Sequence, residues 1–142
     1  MDTDWNEHIE TVKDWLAEYD CFVEETTDEE DRFEPESNMI YLNSRQWAET
    51  RFYTLLHEVG HFLISQDWST LFDTNTSMYA NCHYDGRSER RRDFKVNRII
   101  EEGAAWKFGL QLAERLEIEI DIERYNKFMS KYMMSYIQWA VE

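Results

Sequence analysis

One proline and four glycines interrupt 142 residues. Proline lacks an N–H and glycine loses the most backbone entropy on ordering, so these two residues mark most breaks between elements. A chain with so few of them must consist mainly of long regular segments. The single proline, Pro35, falls in the acidic stretch 24–38, which reads as a loop, with a hairpin connection as the alternative.

The hydrophobic spacing divides the rest. Trp5, Ile9, Val12, Leu16 and Tyr19 recur on one face of a helix over 4–19, with Asp2, Thr3 or Asp4 available as its cap. Residues 21–23 and 39–42 are short apolar runs and strand candidates. Residues 45–65 read as a second helix, its apolar face drawn from Trp47, Phe52, Leu55, Leu56, Val59, Phe62 and Leu63. Residues 66–86 are polar, end in Asp85-Gly86 and read as a loop. A third helix is expected from Ser88 to about Leu116. A fourth spans 122–140, capped by Asp121, with Ile122, Tyr125, Met129, Met133 and Tyr136 as its core stripe. The expected architecture is a single α+β domain over 1–142, helix-dominated, with a small β-sheet.

Within the second helix stands His57-Glu58-Val59-Gly60-His61, an H-E-x-x-H motif. Residues four apart share a helix face, so both imidazoles can reach one ion. Zinc bound in this way makes water acidic, and the adjacent Glu58 is placed to take its proton. Gly60 weakens the helix but lets a neighbouring backbone or a substrate come close. The bland alternative is a pair of histidines that happen to be four apart and pair with carboxylates.

Two histidine ligands need at least one more from the protein, with a further place left for water. Glu101, Glu102 and His83 are the candidates. The two glutamates precede Gly103-Ala104-Ala105, small residues that would allow their helix to pack tightly on the motif helix.

Here the sequence resembles a known family. Leu42-Asn43, followed by Arg51-Phe52-Tyr53-Thr54-Leu55-Leu56-His57-Glu58-Val59-Gly60-His61-Phe62-Leu63, is similar to the ImmA/IrrE-type metallopeptidases, in which a strand precedes such a helix. Their third-ligand helix, roughly Glu-x-x-Ala-Asn-x-Phe-Ala, is similar to Glu102-Gly103-Ala104-Ala105-Trp106-Lys107-Phe108-Gly109. Ala105 and Phe108 are in register, and Trp106 stands in place of the Asn. The resemblance covers about 40–63 and 98–112. It implies a zincin-like minimal metallopeptidase domain of gluzincin type, with zinc held by His57, His61 and Glu102. It also implies Glu58 as catalytic base, a protein or peptide substrate, and kinship with bacteriophage and mobile-element proteins.

Charge and cysteines narrow the setting. The net charge of −15 argues against non-specific nucleic-acid binding and against adhesion to an anionic membrane. Residues 1–36 carry 15 Asp and Glu against Lys13 and Arg32, a net of −13, so the remainder is nearly balanced. Basic residues gather at 87–98, where they are available to pair with the acidic stretch 24–36. Cys21 and Cys82 are isolated, which suits reduced thiols in a cytosol. No apolar run approaches the ~20 residues of a membrane span, and no Sec-type signal precedes the first helix. A soluble cytoplasmic protein is the expectation. Tyr79, His83 and Tyr84 are candidate oxyanion donors in the 66–86 loop. Two rival readings stand beside the enzyme: a non-catalytic zinc-binding protein, and an acidic interaction protein that docks a partner or inhibits a host system.

Overall fold

A computed structural model describes residues 4–28, 30–71 and 92–142, the backbone alone at 67–71. The elements run α1 (Trp5–Ala17), β1 (Phe22–Thr26), β2 (Arg32–Glu34), β3 (Met39–Asn43), α2 (Ala48–Leu71), α3 (Arg92–Arg115) and α4 (Ile122–Ala140). Four helices and one small sheet make this an α+β, helix-dominated fold, as the sequence leads one to expect.

The sheet has the order β1-β3-β2. β3 is central, parallel to β1 and antiparallel to β2. Strand β2 lies inside the stretch read from sequence as a loop or a hairpin connection; the strands on either side of that stretch, β1 and β3, are parallel and form no hairpin, and it is β2 that pairs antiparallel with β3. Net acidity hid it. Phe33 packs edge-on against Phe62, their rings 5.9 Å apart, so one apolar anchor suffices for three residues. The charges beside it are used locally: Arg32 stacks 4.1 Å above the Tyr41 ring and pairs with Glu34 at 3.1 Å. Asn38 takes a φ of 52° at the turn into β3, a conformation its short amide side chain tolerates.

Helix α1 starts where its cap allows. The Asp4 carboxylate accepts from the Glu7 N–H at 3.1 Å, and Ile9, Val12 and Leu16 face the core. It ends at Ala17, so Tyr19 lies beyond it and is exposed. Asp121 caps α4 in the same way, accepting from the Arg124 N–H at 3.2 Å. The stripe expected on α4 is only partly internal: Tyr125 is buried, Met129 and Met133 are half-buried, and Ile122 is exposed.

Helix α2 is the centre of the molecule. It starts at Ala48 rather than 45 and continues to Leu71, through residues whose polarity had suggested a loop. Trp47, expected on its apolar face, precedes the helix and is 86% exposed. Every residue from 52 to 60 is buried, so the helix is enclosed all round rather than amphipathic. The sheet and α1 cover one side, α3 and α4 the other. The third helix is described from Arg92, and the expected start at Ser88 lies outside the described residues.

The α2–α3 crossing is unusually close. A Cβ added at Gly60 would lie 1.8 Å from the Ala105 carbonyl oxygen; one added at Gly109 would lie 2.1 Å from the Leu56 carbonyl oxygen. Backbone therefore meets backbone at two points one helix turn apart. Only glycine allows this at either position, because any side chain would push the axes apart. Gly103 differs: an added Cβ there meets nothing nearer than Met133 Cε at 3.8 Å.

Gly60→Ala should therefore destabilise the fold by about 3 kcal/mol or more, through overpacking against fixed backbone. Gly103→Ala should be neutral or stabilising by up to about 1 kcal/mol, through helix propensity. Urea denaturation of the two variants measures the contrast, and equal midpoints would contradict the close crossing.

Candidate metal centre

The crossing positions two functional groups at once. His57 and His61 project from α2 on successive turns, and Glu102 projects from α3 one turn before Ala105. His57 Nε2 lies 2.6 Å from Glu102 Oε2, His61 Nε2 lies 3.2 Å from the same oxygen, and the two Nε2 atoms are 3.2 Å apart. All three thus converge on one point. Two ligand atoms about 2.05 Å from a tetrahedral zinc are about 3.3 Å apart. Two of the three separations match that edge; the third is the length of a hydrogen bond. Two imidazoles and a carboxylate are also a donor set that suits zinc.

The other candidates for third ligand are placed elsewhere. Glu101 is buried but turns toward Arg98, its Oε2 3.5 Å from Nη1. His83 lies outside the described residues, as do Tyr79 and Tyr84. His8 packs on Trp5 and Phe52 at the far end of α2.

Glu58 is buried beside the pair, its Oε1 3.5 Å from His57 Nδ1. Burial raises its proton affinity, and the two histidines only partly oppose that. Burial would lower the His61 pKa, but the Glu102 carboxylate outweighs it and lifts the imidazole to about 9. Glu102 shows the converse. Burial favours its neutral form, yet His61 and the hydrogen bond from His57 hold it well below the usual carboxylate range.

Trp106 fixes the first histidine. Its indole lies flat on the His57 imidazole, centroids 4.3 Å apart and planes 6° from parallel. Tyr125 and Phe128 brace the indole edge-on, and the Tyr125 hydroxyl donates to the Trp106 carbonyl at 2.5 Å. The indole thus restricts the His57 ring by contact.

His57, His61 and Glu102 line a cleft of about 550 Å³ together with Glu58. Its walls come from the segment before β2, from β2, and from α2, α3 and α4. Asp31 stands on one wall. Its Oδ1 accepts from the Asn43 N–H at 2.7 Å and from Gln46 Nε2 at 2.9 Å, and Thr54 in turn holds Gln46 at 3.0 Å. Burial pushes the Asp31 pKa up against these hydrogen bonds. Tyr132 and Tyr136 reach the cleft from α4, and Arg98 from α3.

Sequence reasoning did not assign Asp31, Arg98, Trp106, Tyr132 or Tyr136 to the site. Tyr132 and Tyr136 sit four apart on a helix, a spacing that could have paired them. Asp31 had no such signal, being one of fifteen acidic residues in its segment. Arg98 was counted in the basic stretch 87–98 as available to the acidic loop, but it pairs with Glu101 and Glu102 in its own helix.

No family model matches the chain, and neither a curated protein nor a solved structure does. The resemblance to ImmA/IrrE-type peptidases therefore rests on the quoted residues alone.

The raised His61 pKa has a measurable consequence. With a pKa near 9, His61 carries a proton at pH 7, and a metal must displace it. Zinc uptake at pH 7 should release about one proton, and apparent affinity should rise about tenfold per pH unit between 7 and 8.5. Calorimetry in buffers of different ionisation heat measures the release. An affinity flat over that range would mean that His61 is already neutral.

Proposed function

We propose that this chain is a zinc-dependent metallopeptidase, similar to the ImmA/IrrE type, that hydrolyses a peptide bond in a protein or peptide. One observation carries the reading: two imidazole nitrogens and one carboxylate oxygen from different helices converge on the wall of an open cleft, with a second carboxylate alongside. A structural zinc site uses four protein ligands and is closed; three ligands in a cleft leave a place for water or substrate. Among the described residues the convergent group has three members.

His57, His61 and Glu102 would hold the ion. When bound, zinc supplies a Lewis acid that polarises a carbonyl and lowers the pKa of water toward about 7. Glu58 is the general base in this reading. It accepts the proton of the attacking water and passes it to the leaving amine. Its burial suits the task, because a carboxylate with raised proton affinity takes a proton more readily near neutral pH. A cleft of about 550 Å³ accommodates a few residues of extended peptide. Trp106 and the aromatic residues behind it limit the freedom of His57. No helix among the described residues is long and apolar enough to cross a membrane. A cytosolic setting belongs to the same proposal and rests on the two isolated cysteines, of which Cys21 is a buried free thiol.

Glu58→Gln should retain one zinc per chain and lose turnover by about 10²–10⁴-fold, the usual contribution of a general base. His61→Ala should lose the zinc. Metal analysis and cleavage of a mixed peptide library read both. Wild-type cleavage by Glu58→Gln would remove Glu58 from the chemistry. Zinc binding without cleavage would favour a non-catalytic zinc protein, and absence of zinc from wild type would favour an acidic interaction protein.

A further inference from the structure

The two oxygens of Glu102 have different surroundings. Oε2 faces the imidazoles of His57 and His61. Oε1 lies 3.5 Å from Arg98 Nη2, one turn earlier on the same helix. The Tyr136 side chain, arriving from α4, lines the same cleft as Arg98 and Glu102 and interacts with both the carboxylate and the guanidinium. Glu102 is 1% exposed, so water cannot substitute for any of these partners.

We propose that Arg98, which holds Oε1, and Tyr136, which adjoins the same carboxylate, are positioning residues that fix Glu102, so that it presents Oε2 alone to the metal position. The proposal rests on the zinc reading of His57, His61 and Glu102. A carboxylate free to rotate can offer both oxygens to one ion, and the second oxygen would occupy the place that a hydrolytic site keeps for water. Arg98 opposes that rotation with a charge fixed in direction, since its other arm is held by Glu101. Tyr136 opposes it from a second helix. The arrangement also gives α4 a function that its packing alone does not explain. Tyr136 belongs to the stripe expected to be core, yet it lines the cleft.

The clamp separates two properties that a purely structural residue would not. Tyr136→Phe keeps the ring and removes one hydroxyl. It should weaken zinc binding about ten- to a hundredfold, the usual effect of losing a partner of a ligating group. Thermal unfolding of the metal-free variant should match wild type. With cobalt(II) in place of zinc, the variant's visible absorption should weaken toward that of a five-coordinate ion, whereas wild type should show the stronger four-coordinate bands. Arg98→Gln should repeat both changes, and Arg98→Lys should recover part of the affinity because it keeps the charge. Unchanged zinc affinity and cobalt spectra in Tyr136→Phe and Arg98→Gln would overturn the clamp while leaving the metal centre standing. A wild-type protein that binds neither metal would overturn both. If Arg98→Gln does not fold, Tyr136→Phe and Arg98→Lys still decide the matter.

Discussion

Everything at the centre of this protein depends on the backbone contact between α2 and α3. The Gly60–Ala105 and Leu56–Gly109 approaches set the helices so close that a glutamate on one can touch imidazoles on the other. A carboxylate side chain is short. If the axes stood apart by the width of two ordinary side chains, Glu102 would end in apolar packing with no partner. The small residues are thus part of the site although none of them bears chemistry. The aromatic layer of Trp106, Tyr125 and Phe128 closes the crossing from the α4 side.

That geometry concentrates charge where water is scarce. Glu58, Glu101 and Glu102 are all buried where α2 and α3 cross, around the two histidines. An isolated buried carboxylate is costly, and such a cluster persists only when each member is paired. Arg98 serves Glu101 and Glu102, and the histidines serve Glu102. Glu58 lies 3.5 Å from the His57 imidazole, and burial outweighs both histidines so that it holds its proton more tightly. The fold therefore carries a group biased toward proton uptake next to a group biased against it, which is a useful pair for moving a proton. The negative net charge of the chain plays a smaller part here than at the surface. Acidic residues near the sheet are consumed locally, Glu25 by Lys13 and Arg51, and Asp31 by Asn43 and Gln46.

Helix periodicity was legible wherever one face was buried and the other wet. Helices α1 and α4 show this, with capping aspartates at the expected places. It found α2 but not its bounds or its enclosure: the middle is buried on all sides, and the polar C-terminal turns remain helical past the point where hydrophobic spacing stops. It failed for β2 because three residues are too few to show alternation, and because the strand is held by one phenylalanine and a neighbouring strand. Trp47 misled because large apolar residues are often exposed one at a time, and spacing cannot tell such a residue from a core one.

The sequence by itself determined that His57 and His61 share a helix face with Glu58 beside them, since residues one and four apart on a helix have fixed relative directions whatever the helix packs against. It also narrowed the group expected to join them to Glu101, Glu102 and His83, from which the family resemblance selected Glu102. Only the tertiary structure decided that Glu102 meets the histidines while Glu101 meets Arg98, because neighbouring residues on a helix point about 100° apart and the crossing angle determines which one faces inward. Tertiary structure alone also brought Asp31, Tyr132 and Tyr136 to the cleft and laid Trp106 against His57. Their approach depends on how separate elements stack, and no local rule relates positions so distant along the chain.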